Sequence, residues 1–422
     1  MTTYDVCVIG GGTAGPVAAI QAARAGARTL LVEKNGVLGG TMTTAGVAWP
    51  ALFYAWGRPV IAGIGWEVVK RAMEEGSGEF PDFSLPPPRQ NRYCMALDYG
   101  LYAALLDEAV IESGAELLLH TMVAAVEEKD DEVAVTLCDR LGLREISCKI
   151  VIDCTGDALA VQMAGFEVER EENCQPATPR MRLTGYQFED LDIEAIERAC
   201  GEALESGELR KSDFFASEGY IERVLRMGST NVHVTGICAV SSEERTRLEV
   251  EGRRRCLKIY RFLRRQPGLE KVRIRFLTLE SGVRETVRIR GLERITLEDY
   301  TAGRMWDEAV CYSFYPVDLH GPNGEYLDFR PLEPEIVPTI PRGALIPAGS
   351  RRFLVAGRCL SSDQLANSGL RVQAPCMAMG QAAGALGVLA IRDNVSPAEV
   401  DMNALRVLLK EHGALVPEGN GR

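Results

Sequence analysis

None of the twelve cysteines stands in a CxxC pair; Cys148 and Cys154 come nearest, on one expected strand. That spacing disfavours zinc, thioredoxin-like redox chemistry and cysteine-ligated iron–sulfur clusters. No metal site is expected, and most of the thiols are read as small buried apolar groups. Positive charge is also in deficit: 47 Lys and Arg face 59 Asp and Glu, a net charge of -12. This argues against nucleic acid as a partner. One segment, 245–294, runs the other way with sixteen basic against six acidic residues. Its basic residues mix with Leu, Ile and Val at helix and strand spacings, so it is read as a solvated face with one or two functional arginines. The longest polar-poor stretch, Ala374 to Ile391, is rich in Gly and Ala and contains Gln381, so a buried helix rather than a membrane span is expected. The first apolar run begins almost at once after Met1, leaving no room for a signal peptide, and a cytoplasmic location is the expectation.

Glycine carries the strongest positive signal. Residues 6–34 read VCVIGGGTAGPVAAIQAARAGARTLLVEK. Tyr4 to Ile9 predicts a buried strand, Pro16 to Ala25 a helix ending at Gly26, and Thr29 to Val32 a second strand that leads to Glu33. Gly10, Gly12 and Gly15 form GxGxxG between them. Gly10 permits a tight turn, Gly12 lets backbone N–H groups approach a pyrophosphate, and Gly15 lets the helix pack close to the strand. The helix N-terminus adds partial positive charge, and Glu33 accepts hydrogen bonds from ribose hydroxyls. Such a unit binds a dinucleotide, and Glu33 disfavours a 2′-phosphate and hence NADP.

A second glycine cluster, GVLGGTMTTAGV at 36–47, follows where a simple NAD dehydrogenase would start another helix. That loop suits a longer ligand needing backbone contact at its far part. Helices are predicted over Trp66 to Glu75 and Asp98 to Ser113, and strands over Leu117 to Glu127, Val133 to Cys138 and Glu145 to Ile152. Near the C-terminus a strand over Arg352 to Gly357 precedes a helix over Arg371 to Ile391, in which Ala378, Ala382 and Ala385 allow close packing. Its N-terminus suits the flavin edge where negative charge develops on reduction.

The stretches VIGGGTAG, EKNGVLGGTMT, VIDCTGDALAVQMAG, QPATPRMRLTG, GVRETVRIRGLERIT, YPVDLHGP and LVAGRCLSSD…SGLRVQAPCMAMGQAAG span nearly the whole chain. On them the chain resembles the FAD-dependent oxidoreductases of the glutathione-reductase-like superfamily, with a distant similarity to fumarate reductase and succinate dehydrogenase flavoproteins. The resemblance implies a noncovalent FAD held by Gly10, Gly12, Thr13, Ala14, Gly15, Glu33 and Lys34 from the first unit. Gly40, Thr41 and Val123 would follow, then Thr155, Gly156 and Asp157. Gly357 and the turn carrying Arg371, Val372 and Cys376 would complete the set. The loop Thr41 to Ala48 has neither His nor Cys for a covalent tether.

The implied fold class is α/β, a Rossmann-like FAD-binding domain of glutathione-reductase type with an inserted α+β substrate domain. Residues 1–165 and 336–395 would form the FAD-binding domain, 166–335 the substrate domain, and 396–422 a C-terminal helix and tail. Ser396, Pro397 and Glu399 are placed to start that last helix, and LPPPRQ at 85–90 is the one stiff, linker-like stretch. Among the four histidines, His120 is read as a core or sheet residue and His412 as a surface one. His233 alternates with Val232 and Val234 on an expected strand. His320 is the leading catalytic candidate: Asp318 shares its strand face by period two, and a carboxylate there orients the imidazole and raises its pKa. Arg284 and Arg288 are placed to clamp a carboxylate or hydroxyl-rich substrate, with Arg182 and Arg371 in the same motifs. Cys94 and Cys376 lack a partner at useful spacing. The function expected is hydride transfer between flavin N5 and a small polar organic substrate, with an electron acceptor the sequence does not name. The alternatives are a fumarate-reductase-like enoate reductase using an arginine as proton donor, and a flavin-binding protein with a structural or sensing role.

Overall fold

The computed structural model describes residues 2–84, 93–214, 220–324 and 327–418; the stretch at 85–90 lies outside these. The strand Thr2–Ile9 sits at the centre of a seven-stranded sheet, and Val6, Cys7, Val8 and Ile9 are buried on both faces. Such a run suits a parallel strand covered from both sides. On one flank it pairs in parallel with Thr29–Val32, which pairs with Glu116–Leu118. On the other it pairs in parallel with the long strand Gly142–Asp153. That strand forks. Its second half pairs in parallel with Phe353–Val355, and its first half pairs antiparallel with Val133–Asp139, itself paired with Met122–Glu128. The order reverses at the central strand, which opens a crevice at the carboxyl ends of the strands. This is an α/β fold with a Rossmann-like core.

The expected helices form as Gly15–Arg24, Ile64–Glu75, Tyr99–Glu112 and Gln373–Asp393. Asp98 caps the third by accepting from the Gly100 and Leu101 N–H groups. The expected strand over 117–127 is broken in two, because His120 adopts a positive φ of 53° in the turn between the halves. His120 is exposed rather than part of a sheet. Gln373–Asp393 is long and apolar enough to cross a membrane, yet 83% of its apolar window is buried, against the first helix and the sheet. Glycines rather than the expected alanines make the closest approach. A Cβ on Gly380 would lie 2.3 Å from the Ala14 carbonyl oxygen, and one on Gly384 2.5 Å from that of Ala18.

The segment 166–335 does not pack around one core. Met181, Leu183, Ile196, Val224, Ile259 and Leu269 belong to a separate cluster, whereas Ile295, Tyr300, Phe314 and Val317 join the large core of the central sheet and its helices. The basic stretch begins in the helix Ser242–Leu263, where Arg253 and Arg255 pair one turn away with Glu249 and Glu251. The Ser396–Glu399 capping box closes a single 3₁₀ turn, Pro397–Glu399, and the last helix, Met402–Glu411, takes its own cap from Asp401. His412 sits just past that helix, with Nδ1 2.7 Å from Nε2 of the buried Gln21. Cys174 and Cys238 form a disulfide across 64 residues, so these two are not isolated thiols; sequence spacing is silent on pairs brought together by folding. Eight of the other ten cysteines are buried. Among the described residues, no group of three or more His, Cys, Asp or Glu is placed to hold a metal.

Candidate active site

The crevice holds a cavity of about 790 Å³. Gly10 turns the chain at φ 101°, and a Cβ there would lie 2.7 Å from the backbone of Cys154. At Gly15 a Cβ would lie 1.8 Å from the Gly10 carbonyl oxygen, so the helix starts this close to the strand only with glycine. Gly15 serves that packing and does not line the cavity. Gly12 does line it, and a Cβ there would meet nothing nearer than the Cys154 carbonyl oxygen at 3.9 Å. The space beside Gly12 is therefore open to a ligand. The helices Gly15–Arg24 and Gln373–Asp393 both begin without a side-chain cap or an acidic residue in the first turn, and their N-cap residues, Ala14 and Val372, line the cavity. Their N–H groups and partial positive charge suit an anionic or polar ligand edge.

Every other cofactor residue expected from the sequence also lines this cavity: Gly10, Thr13 and Ala14; Glu33 and Lys34; Gly40, Thr41 and Val123; Thr155, Gly156 and Asp157; Gly357, Arg371, Val372 and Cys376. Glu33 accepts from the Gly11 N–H at 2.6 Å and the Asn35 N–H at 2.8 Å, which fixes the carboxylate and leaves acceptor sites for hydroxyls. Burial raises its pKa despite those bonds. Lys34 pairs with Glu280. Asp157 is an ion-pair node: Arg245 and Arg358 each lie 2.6 Å from one of its oxygens, and Thr286 donates at 2.8 Å. Burial alone would raise its carboxyl, but the Arg358 and Arg245 guanidiniums hold it below the usual range. Arg180, Arg358 and Arg371 each bury an Nε atom that finds no hydrogen-bond partner among the described residues. The open glycine wall, the two uncapped helix starts and the Arg358 donor fit a dinucleotide such as FAD.

A second cluster lines the same cavity. The strand Val317–His320 places Asp318 and His320 on one face, with Asp318 Oδ2 3.6 Å from His320 Nε2. Gln175 Oε1 accepts from the His320 N–H at 3.3 Å and from Arg371 Nη2 at 3.4 Å. Arg371 Nη2 also lies 3.8 Å from Asp318 Oδ2. Arg284 donates through Nη1 to the Pro176 carbonyl and the Thr178 hydroxyl, both at 2.6 Å, and its Nη2 is 3.4 Å from His233 Nε2. The rings of His233 and His320 meet edge to face at 4.9 Å. His233 does not sit on a continuous strand. Among the described residues Val234 forms an isolated reciprocal pair with Ala177, the His233 N–H donates to the Ser212 carbonyl at 3.1 Å, and His233 itself is fully buried.

Asp318 supports the His320 proton as expected, but the net shift runs the other way. Burial, then the Arg284 cation, lower the His320 pKa to about 4 against the support of Asp318. The imidazole is neutral at pH 7. Burial opposes ionisation of Asp318, but the His320 hydrogen bond and the Arg371 and Arg284 cations bring its pKa down to about 2. Burial pushes the Cys94 thiol up to about 11 and Cys376 up to about 12, so neither supplies a thiolate at neutral pH. Arg288 is not a clamp. It is buried, paired with Glu285 at 2.9 Å and with Glu171, and donates to the Ser362 carbonyl at 3.0 Å. Arg182 lies over the Tyr99 ring at 5.2 Å and does not line the cavity.

The sequence model of the family described as FAD dependent oxidoreductase matches residues 5–409. The chain belongs to that family. As an FAD-dependent oxidoreductase it is an enzyme, with FAD as its cofactor. It is 58% identical over 43 residues to the mitochondrial dihydrolipoyl dehydrogenase of Schizosaccharomyces pombe, a match covering 10% of this chain and 8% of that protein. It is 30% identical over 170 residues to a thiamine thiazole synthase of Aeropyrum pernix, covering 36% of this chain and 54% of that one. The chain thus matches under a tenth and about half of the lengths of these relatives. Among solved structures, a geranylgeranyl bacteriochlorophyll reductase-like protein of Thermoplasma acidophilum aligns over 97% of this chain and 84% of its own, with 15% identity and a TM-score of 0.46.

Sequence reasoning missed Arg180, Gln175 and Thr178, three side chains of the flavoenzyme's cavity and its supports. All lie in or beside QPATPRMRLTG, where Arg182 was singled out instead. The alternation of Arg180 and Arg182 was visible, but nothing local says which of the two reaches the cavity.

Proposed function

We propose that this FAD-dependent oxidoreductase exchanges a hydride between its flavin and a small polar organic substrate lying against Arg284, Asp318 and His320. Bound FAD supplies the two-electron chemistry at N5; Gly10 to Ala14, Glu33 and the Thr155–Asp157 turn are the groups that would hold it. The observation carrying this reading is the neutral His320 beside the ionised Asp318 in a cavity whose remaining wall is the glycine cradle. In the oxidative direction the His320 imidazole takes the proton that leaves the substrate's O–H or N–H. Asp318 Oδ2, 3.6 Å from Nε2, then balances the imidazolium charge. Arg371 and Gln175 hold Asp318 and the His320 backbone in place.

The reverse traffic, an enoate reduction with an arginine as proton donor, draws on one observation: burial, then the neighbouring Arg371 cation, lower the Arg284 pKa to about 9. The neutral state of His320 favours the oxidative reading, since a base rather than an acid stands ready at pH 7. A cytoplasmic location, and a working life without nucleic acid or membrane, belong to the same proposal.

Anaerobic titration of the purified flavoenzyme with small alcohols, hydroxy acids and amines tests it, with flavin absorbance as the readout. Bleaching by one of these classes is the expected result. Reoxidation of the reduced enzyme by an enoate, with no bleaching by any donor, would turn the assignment to the second reading. No response in either direction would sink both.

A further inference from the structure

We propose that the substrate is a small organic acid whose carboxylate is gripped by Arg180 and Arg284; the inference rests on the redox reading above and names its substrate class. Six arginines line the cavity; Arg245 and Arg358 pair with Asp157, and in the cluster that holds Arg284 and Arg371 the carboxylate is Asp318. Asp318 faces Arg371 and His320. Within hydrogen-bond and ion-pair distance Arg180 and Arg284 have only neutral partners among the described residues, and Asp318 acts on Arg284 from farther off. Arg180 Nη1 donates to the Gly46 carbonyl at 3.3 Å, and its guanidinium lies 4.2 Å from the centre of the Trp49 ring. Arg284 donates to the Pro176 carbonyl and the Thr178 hydroxyl and touches the neutral His233.

A resting guanidinium stays charged at neutral pH, so a half-buried one with no carboxylate in ion-pair distance carries a desolvation cost that an arriving anion relieves. That cost is visible here. Burial, then the neighbouring Arg182 cation, lower the Arg180 pKa to about 10, and burial and Arg371 bring Arg284 down to about 9. Elsewhere in the molecule buried arginines are matched: Arg288 by Glu285 and Glu171, Arg342 by Glu308, Arg255 by Glu251. Arg180 and Arg284 break that pattern, and an anion arriving with the ligand completes it.

The two arginines also come from positions built to converge. Thr178 accepts from Arg284 through its side chain, its backbone pairs with Gly282, and Arg180 follows two residues on. Arg180 Nε is buried with no partner among the described residues, which leaves a donor for a carboxylate oxygen. A guanidinium grips a carboxylate through two parallel N–H donors, which fixes the acid's orientation as well as its charge. A substrate carbon attached to that carboxylate would then stand beside His320, as the redox reading needs.

The test uses the FAD-loaded enzyme and a binding readout independent of turnover. Malonate, succinate and glutarate are titrated against perturbation of the bound flavin spectrum and against Tm, each alongside its uncharged diamide. At least one acid is expected to bind saturably and raise Tm while its diamide does neither. Arg284→Gln and Arg180→Gln should each weaken that acid by about 10- to 100-fold, the worth of a charge-assisted hydrogen bond, with FAD content unchanged. Equal binding of acids and diamides, or binding by none of the acids, would overturn the proposal. So would loss of FAD from either variant, because the arginines would then serve the cofactor's phosphates. The two readings fail separately. Acids that bind while no hydroxy, amino or unsaturated acid changes the flavin's redox state leave the clamp standing and remove the redox reading. Neutral alcohols that bleach the flavin while no acid binds do the opposite.

Discussion

Along the glycine wall of the cavity, Gly10, Gly12 and the helix starting at Gly15 offer backbone to the ligand, whereas Arg180, Arg284, Asp318 and His320 offer side chains. The difference lies in what can be tuned. Backbone N–H groups do not titrate, and the glycines are set by clearance: 1.8 Å at Gly15, open space at Gly12. The side chains set one another's charge. Burial and then Arg284 keep His320 neutral, and the His320 hydrogen bond, together with Arg371 and Arg284, keeps Asp318 ionised. One part fixes where a ligand sits, and the other decides what protonation state it meets.

The sharpest break in that comparison is a substitution on the wall itself. Gly12→Val is expected to yield a folded, colourless protein, because the new side chain points into the ligand's space rather than into the chain. Gly15→Val is expected to fail at folding, because its Cβ lands on the Gly10 carbonyl. Flavin absorbance and circular dichroism, read together, separate the two; a yellow Gly12→Val protein would show that the wall does not hold the cofactor.

Substitution in the side-chain cluster should leave FAD in place and act on rate. His320→Asn is expected to slow flavin reduction by about 100- to 10,000-fold, the usual worth of general acid–base catalysis. Asp318→Asn should cost less, since it removes only the group that orients and balances the imidazole. Stopped-flow reduction with a true substrate reads both. A His320→Asn variant that reduces at the wild-type rate would hand the proton to another group.

Arg288 sharpens the comparison differently, as an arginine of the same motif with no place in the cavity. Arg288→Gln strips the counter-charge from the buried Glu285 and should lower stability by about 3–5 kcal/mol. Chemical denaturation measures this, and a change in acid binding without a loss of stability would contradict the structural role.

The smallest effect is in pH. His320 falls to about 4 when folded, below its ordinary 6.5, so between those values the unfolded chain binds the extra proton. The resulting stability is fully present above about pH 6.5 and is lost as pH falls through about 4. His233, lowered mainly by burial to about 2, acts with the same sign. Denaturation midpoints at pH 7 and pH 4.5 should therefore converge in His320→Asn relative to the wild type.

Much of this was legible in the chain. GxGxxG between an apolar run and a small-residue helix specifies its own turn, and Glu33 follows at the end of the next strand. Those constraints act over some thirty residues and need no distant partner. The shared face of Asp318 and His320 was legible for the same reason, since strand period two is a local rule. Arg288 and Arg284 lie four residues apart in one motif, yet one is buried in an ion-pair cluster and the other lines the cavity, a choice made by Glu171 and Glu285 against Thr178 and His233. His233 looked like one residue of an alternating strand and instead stands against Arg284.

By itself, then, the sequence determined the cradle, the family and the pairing of Asp318 with His320, because each depends on neighbours along the chain. Tertiary structure decided the charge state of His320, the exchange of Arg288 for Arg180 among the cavity arginines, and the division of segment 166–335 between a core of its own and that of the central sheet. Burial and electrostatic interaction depend on distance in space, and the groups that set them here, Arg284 above Asp318 and His320 and Thr178 beside Arg284, are brought together from positions more than thirty residues apart.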